Sequence, residues 1–178
     1  LFFSTPIWTS KIDNYKKVNE ELLSYIYSLK EIDPLGKKKS NINGWHSNDF
    51  NLNDNTIISL IKSFEPHINL LLKDMNWDLL KQEVKITNMW AIINNKGSFN
   101  QKHHHGNSDL SAAYYVSAPD DCGDIVFYDP RPAPVYKHPT SKSPNILNAS
   151  VNSIKPEDGM LVLFPSYLEH SVNPNNSS

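Results

Sequence analysis

Three histidines stand together in Gln101-Lys102-His103-His104-His105-Gly106, and another lies far along the chain in Ser166-Tyr167-Leu168-Glu169-His170-Ser171-Val172. In an extended chain alternate side chains share a face, so His103 and His105 point together while His104 points away. Two imidazoles on one face of such a segment reach a single metal ion, and His170, on a second strand-like segment, supplies a third donor. Neutral imidazole suits iron, zinc, copper and nickel, so spacing alone does not choose the metal. A histidine triplet in a loop is also often a plain polar surface patch, and short motifs by themselves are unreliable. His46, His67 and His138 have no partner at ligand spacing and read as ordinary surface or core histidines. Cys122, the only cysteine, stands beside Asp120, Asp121 and Asp124, which disfavour a thiolate nucleophile.

These donors need a frame to bring them together. Asn14 is placed to cap a helix in which Val18, Leu22, Ile26 and Leu29 recur at three- and four-residue steps, stopped by Asp33-Pro34 and Gly36. The basic run Lys37 to Lys39 then reads as a solvated loop. A second helix from Asp54 carries Ile57, Leu60, Ile61 and Phe64 on one side, with Pro66 expected to kink or restart it before Ile68, Leu71 and Leu72. After Trp77 the character changes. Segments 84–94, 110–118, 124–129, 149–155, 159–164 and 167–173 are short, rich in β-branched and aromatic residues, and separated by Gly, Pro, Asn or Asp. Such a series reads as an antiparallel sandwich or barrel. The Pro-rich stretch from Pro130 to Pro144 is too long for a tight hairpin and reads as an ordered functional loop or a lid.

At 178 residues the chain fits one domain, with a helical part over 1–82 and a β core over 83–178. The formal net charge of −2 gives no reason to expect nucleic acid or an anionic membrane as partner. No apolar run is long enough to span a bilayer. A single cysteine allows no internal disulfide, so a reducing cytoplasm is the expected location. The chain opens without Met and stops in NPNNSS just after a strand-like segment, as a fragment would.

The stretches HHHGNSDLSAAYYV, GDIVFYDPR and GMLVLFPSYLEHSV, in that order between Trp90 and Asn175, resemble the 2-oxoglutarate/Fe(II)-dependent oxygenase superfamily. The closest likeness is to a small group with an H-x-H metal strand; GWHSN at 44–48 also fits the N-terminal region of that group. The resemblance implies an α+β, mainly β fold: a double-stranded β-helix (jelly roll, cupin-like) buttressed by N-terminal helices. It implies Fe(II) held by His103, His105 and His170, with 2-oxoglutarate as cosubstrate. Tyr115 falls where a tyrosine commonly touches the 2-oxoglutarate carboxylate, and Val126 and Val172 would line the same pocket or serve simply as β core. Trp90, Tyr114, Phe127, Tyr128 and Phe164 are candidates for an apolar lining. The implied activity is oxidation of a small molecule or a protein side chain, with no residue named as catalytic beyond the ligands.

The sequence departs from the superfamily pattern at two places. The usual carboxylate ligand is replaced by His105, so three neutral imidazoles leave the full dication unless dianionic 2-oxoglutarate compensates it. Asp109 ranks below His105 as the third ligand because it lies beyond a turn. The basic residue that clamps the far carboxylate of 2-oxoglutarate is expected nine to eleven positions after His170, past residue 178. Arg131, the only arginine, is either an anion anchor or a surface residue of its DPRP loop. The rival readings are a cupin-type dioxygenase with three-histidine iron and no 2-oxoglutarate, and a jelly-roll binding module without catalysis.

Overall fold

In the computed structural model, residues 4–132 and 139–177 are described. Their elements run β1 (Trp8–Lys11), α1 (Tyr15–Ile32), β2 (Asn41–Ile42), β3 (Trp45–His46), α2 (Asn55–Asp74), β4 (Ile92–Ile93), β5 (Phe99–His103), β6 (Leu110–Tyr114), β7 (Ile125–Tyr128), β8 (Val151–Ile154), β9 (Met160–Pro165) and β10 (His170–Val172). The apolar stripe of α1 buries Leu22 and Ile26, as its spacing predicts. Asn14 does stand at the helix start, but at φ 55° and with no capping bond from its side chain. It supplies a left-handed turn, which Asn tolerates, rather than a cap. In α2 the cap is real: the Asp54 carboxylate accepts the Thr56 N–H at 2.8 Å. Pro66 does not restart this helix, which runs unbroken from Asn55 to Asp74. It lies on the exposed side, where water can satisfy the carbonyl that the missing N–H leaves over.

Two antiparallel sheets face each other, with strand orders β1-β9-β6 and β2-β5-β10-β7-β8; β3 and β4 form a separate pair. Strand β9 is the wall between two cores. Leu161 and Leu163 on one face join α1 and α2 through Leu22, Leu60, Phe64 and Leu71. Val162 and Phe164 on the other face meet Ile125, Phe127 and Leu168 between the sheets. The result is the expected double-stranded β-helix with its helices on one flank.

The strand expected over 84–94 shrinks to Ile92–Ile93. Upstream of it the chain is held to the 47–50 segment by widely spaced bonds, Ser47 N–H to Ala91 O and Phe50 N–H to Met89 O, which do not make a ladder. Strands β1, β2 and β3 come from the half expected to be helical; at two to four residues each they are too short for periodicity to reveal. Within the Pro-rich stretch, residues 133–138, and with them His138, lie outside the described residues. Among the described residues no helix is long and apolar enough to cross a membrane.

Candidate metal centre

Register brings the first two imidazoles together. Strand β10 pairs with β5 so that His170 lies opposite His103, and their ring centroids are 4.3 Å apart. His105 lies just past the end of β5, where its backbone N–H donates to Ser166 O at 2.9 Å. Its ring stands 5.1 Å from that of His103 and 5.2 Å from that of His170. One ring nitrogen from each histidine falls within 4.8 Å of the others. His104 is exposed and takes no part, as alternation requires.

The backbone fixes which nitrogen can bind. His103 Nδ1 donates to Gln101 O at 2.7 Å, and His170 Nδ1 donates to Leu168 O at 2.9 Å. A carbonyl only accepts, so both rings carry the proton on Nδ1 and expose the Nε2 lone pair. A backbone carbonyl on Nδ1 holds the ring at the angle at which Nε2 can meet a metal. A polar string ends on this same Nε2 of His103, at the metal-binding side of the ring. Ser40 Oγ lies 3.4 Å from His103 Nε2, Asn100 Nδ2 donates to Ser40 Oγ at 3.2 Å, and Asn94 Nδ2 donates to Asn100 Oδ1 at 3.1 Å.

Burial favours the neutral form of His170 and His105. It pushes the His170 imidazole down to about 4, helped by the neighbouring His103 and His105 and opposed by the Leu168 carbonyl. Burial is also the first cause that lowers His105, followed by His103 and His104. Imidazole nitrogen is a donor for iron or zinc, with bonds of about 2 Å, and one such nitrogen from each of the three residues lies within 4.8 Å of the others here. No carboxylate belongs to the convergent group; Asp109 is exposed, and its backbone O accepts from Ser166 N–H.

The expected lining divides. Phe164 and Phe127 stand 4.7 and 6.2 Å from the His170 ring, and Trp90 lies 5.9 Å from His105. Tyr114 instead faces the helices, against Phe64 and hydrogen-bonded to Asn19. Tyr128 is on the outer face, bonded to Ser171 Oγ at 2.9 Å and covered by Lys102. Tyr115 lies in the inter-sheet cluster that contains Phe127 and Phe164, and burial raises its phenol, with Cys122 and Asp124 adding to the shift. Val172 shares the His170 face two residues on, opposite Ile125. Val126 is buried opposite Ser171 and alternates to the face away from Phe127. Arg131 is bound through two nitrogens to Asp129, at 2.9 and 2.7 Å. The Cys122 thiol is raised, by burial first and then by Asp124 and Asp158. His46, read as an ordinary histidine, is buried and stacks on Trp90 at 5.6 Å and 13°. Neither its role nor that of Ser40 has a signature in spacing, because both reach the centre only through sheet pairing.

The family described as "Putative 2OG-Fe(II) oxygenase" matches residues 88–178, just over half the chain. No curated protein matches. A Pseudomonas putida prolyl-4-hydroxylase is similar in structure, with a TM-score of 0.65 at 12% identity over 98% of this chain and 88% of that one. So is a prolyl hydroxylase from Trichoplax adhaerens, solved with a hypoxia inducible factor oxygen degradation domain peptide fragment, at 0.65, 14%, 98% and 80%. At these identities the likeness carries the fold alone.

Proposed function

On the premise that this chain belongs to the 2OG-Fe(II) oxygenase family, we propose that His103, His105 and His170 are the protein ligands of its iron. The enzyme is an Fe(II)- and 2-oxoglutarate-dependent dioxygenase. The observation that carries the ligand assignment is the convergence of three ring nitrogens within 4.8 Å, from two strands far apart in sequence. When bound, iron and cosubstrate would supply the oxidising chemistry with O2 as the oxidant, one oxygen atom entering succinate as 2-oxoglutarate loses CO2 and the other oxidising a substrate C–H bond.

The protein's share is orientation and exclusion of water. Gln101 O and Leu168 O aim two Nε2 atoms, while Phe127, Phe164 and Trp90 wall the rings off. Tyr115 is proposed to meet a 2-oxoglutarate carboxylate, with Val172 at the same pocket. The proposed contribution of Val126 is to hold β7 against β10. With no carboxylate among the three ligands, the dianionic cosubstrate would supply the negative charge that offsets the iron's. For the substrate, a small molecule or a protein side chain is proposed, and for location the cytoplasm, where one unpaired cysteine is the norm.

The test is anaerobic titration of Fe(II) and 2-oxoglutarate into metal-free protein, followed by O2. A metal-to-ligand charge-transfer band and then succinate are expected. Iron binding with no band and no succinate would favour a three-histidine dioxygenase that does without the cosubstrate; no iron binding would remove the ligand assignment.

A further inference from the structure

The run Lys37-Lys38-Lys39 is not a loose loop but a fixed turn beside the imidazole triad. Asn41, which is buried, ties it down: Oδ1 accepts the Lys39 N–H at 2.8 Å, and Nδ2 donates to Lys37 O at 3.1 Å and to Gly44 O at 2.8 Å. The Lys37 N–H donates to His46 O at 2.8 Å. Gly36, at φ 56°, approaches Trp45 and the His46 carbonyl so closely that a Cβ there would collide. The next residue along, Ser40, joins the turn to the metal strand through its backbone and its side chain. The Gln101 N–H donates to Ser40 O at 2.8 Å, and the Ser40 hydroxyl meets His103 Nε2 at 3.4 Å. A second route runs through rings: Lys37 and Lys39 both act on His46, His46 stacks on Trp90, and Trp90 lies against His105.

Three consecutive lysines on a backbone turn fixed in this way concentrate positive charge next to the metal strand, which an anion would offset. Among the described residues, Lys11, Lys17, Lys81, Lys85, Lys102 and Lys155 make ion pairs; the three turn lysines do not, and neither do Lys16, Lys30, Lys62, Lys73, Lys96 and Lys142, but only in the turn do three such lysines stand consecutively. Of the nearby acids, Asp33 accepts from Gly36 N–H and Asn48 Nδ2, and Asp49 acts on His46. Arg131, the other natural anion anchor, is committed to Asp129.

We propose that the Lys37–Lys39 turn is the anion-binding arm of the substrate site, and that the substrate carries a carboxylate or phosphate which the turn holds while its reactive C–H bond lies at the metal. The proposal rests on the reading of the triad as the iron site. Its ligand chemistry, an oxyanion, is shared with 2-oxoglutarate itself, so the experiment separates the two sources.

Mn(II)-loaded protein saturated with 2-oxoglutarate is titrated with inorganic phosphate while the 31P relaxation rate is followed. Saturable paramagnetic enhancement is expected in the wild type and in the remote control Lys62→Glu. In the combined variant Lys37→Glu, Lys38→Glu, Lys39→Glu, phosphate affinity should fall on the order of tenfold, with Mn(II) and 2-oxoglutarate affinities unchanged. Absence of phosphate binding, or equal binding in the combined variant, overturns the proposal. So does a loss of 2-oxoglutarate affinity in that variant, which would make the turn the cosubstrate's anchor. If the wild type holds neither Mn(II) nor 2-oxoglutarate, the iron-site reading falls, and the anion arm falls with it.

Discussion

The two faces of β9 look alike in sequence and work differently. Leu161 and Leu163 point to the helices, into a core built mainly of apolar residues from α1 and α2. Val162 and Phe164 point between the sheets, and Phe164 ends 4.7 Å from the ring of His170. One face is a stabilising layer whose worth lies in area removed from water. The other spends part of its volume on buried imidazoles, which cost desolvation and gain little until an ion arrives. Alternate residues of one strand therefore answer to different requirements, and substitutions on them should separate cleanly.

The sharpest break is at the ligands. His103→Ala, His105→Ala and His170→Ala should each abolish iron retention and succinate formation, while His104→Ala keeps both. Metal content by elemental analysis after anaerobic loading reads this directly. Iron retention by any of the first three, or its loss in His104→Ala, would contradict the assignment by alternation.

Next in size is the opposite face. Leu161 is completely buried, and Leu161→Ala should destabilise the protein by about 2–5 kcal/mol. The fraction that remains folded at low temperature should still bind iron at wild-type stoichiometry. Denaturant melts paired with metal analysis check both halves; loss of iron without loss of stability would mean that the two faces are not independent.

That independence also explains what could be read in advance. Alternation in HHH and the ordered motifs after Trp90 made the triad, the jelly roll and the buttressing helices legible, because each depends on local period or on spacing within a strand. Ser40, His46 and the lysine turn were not legible as parts of the site. They reach it through two-residue strands and the pairing of Ser40 with Gln101, contacts more than 40 positions apart that leave no periodic trace. Tyr114 and Tyr128 failed as lining for a related reason. A one-residue step along a strand reverses the face, and the sequence does not say which face a Tyr-Tyr pair presents inward.

The gentlest way to sharpen the comparison is pH, since only the metal-side core buries shifted histidines. Free imidazole titrates near 6.5, and burial holds the folded His170 down to about 4. His105 and His46 are lowered in the same sense, each by burial first. The unfolded chain therefore takes up these protons before the folded one does. The stabilisation from keeping the rings neutral is complete above about pH 6.5 and is lost as pH falls toward 4. Metal-free protein should show a Tm that is level from pH 7.5 to 6.5 and declines below it. His170→Gln, which cannot take up a proton there, should decline less steeply. Iron should leave over the same range, because protons and metal compete for one Nε2 lone pair. A melting temperature equally level from pH 7.5 to 4.5 in both proteins would show that the imidazoles are not held neutral by the fold, and the metal-side core would then be no different in kind from the helical one.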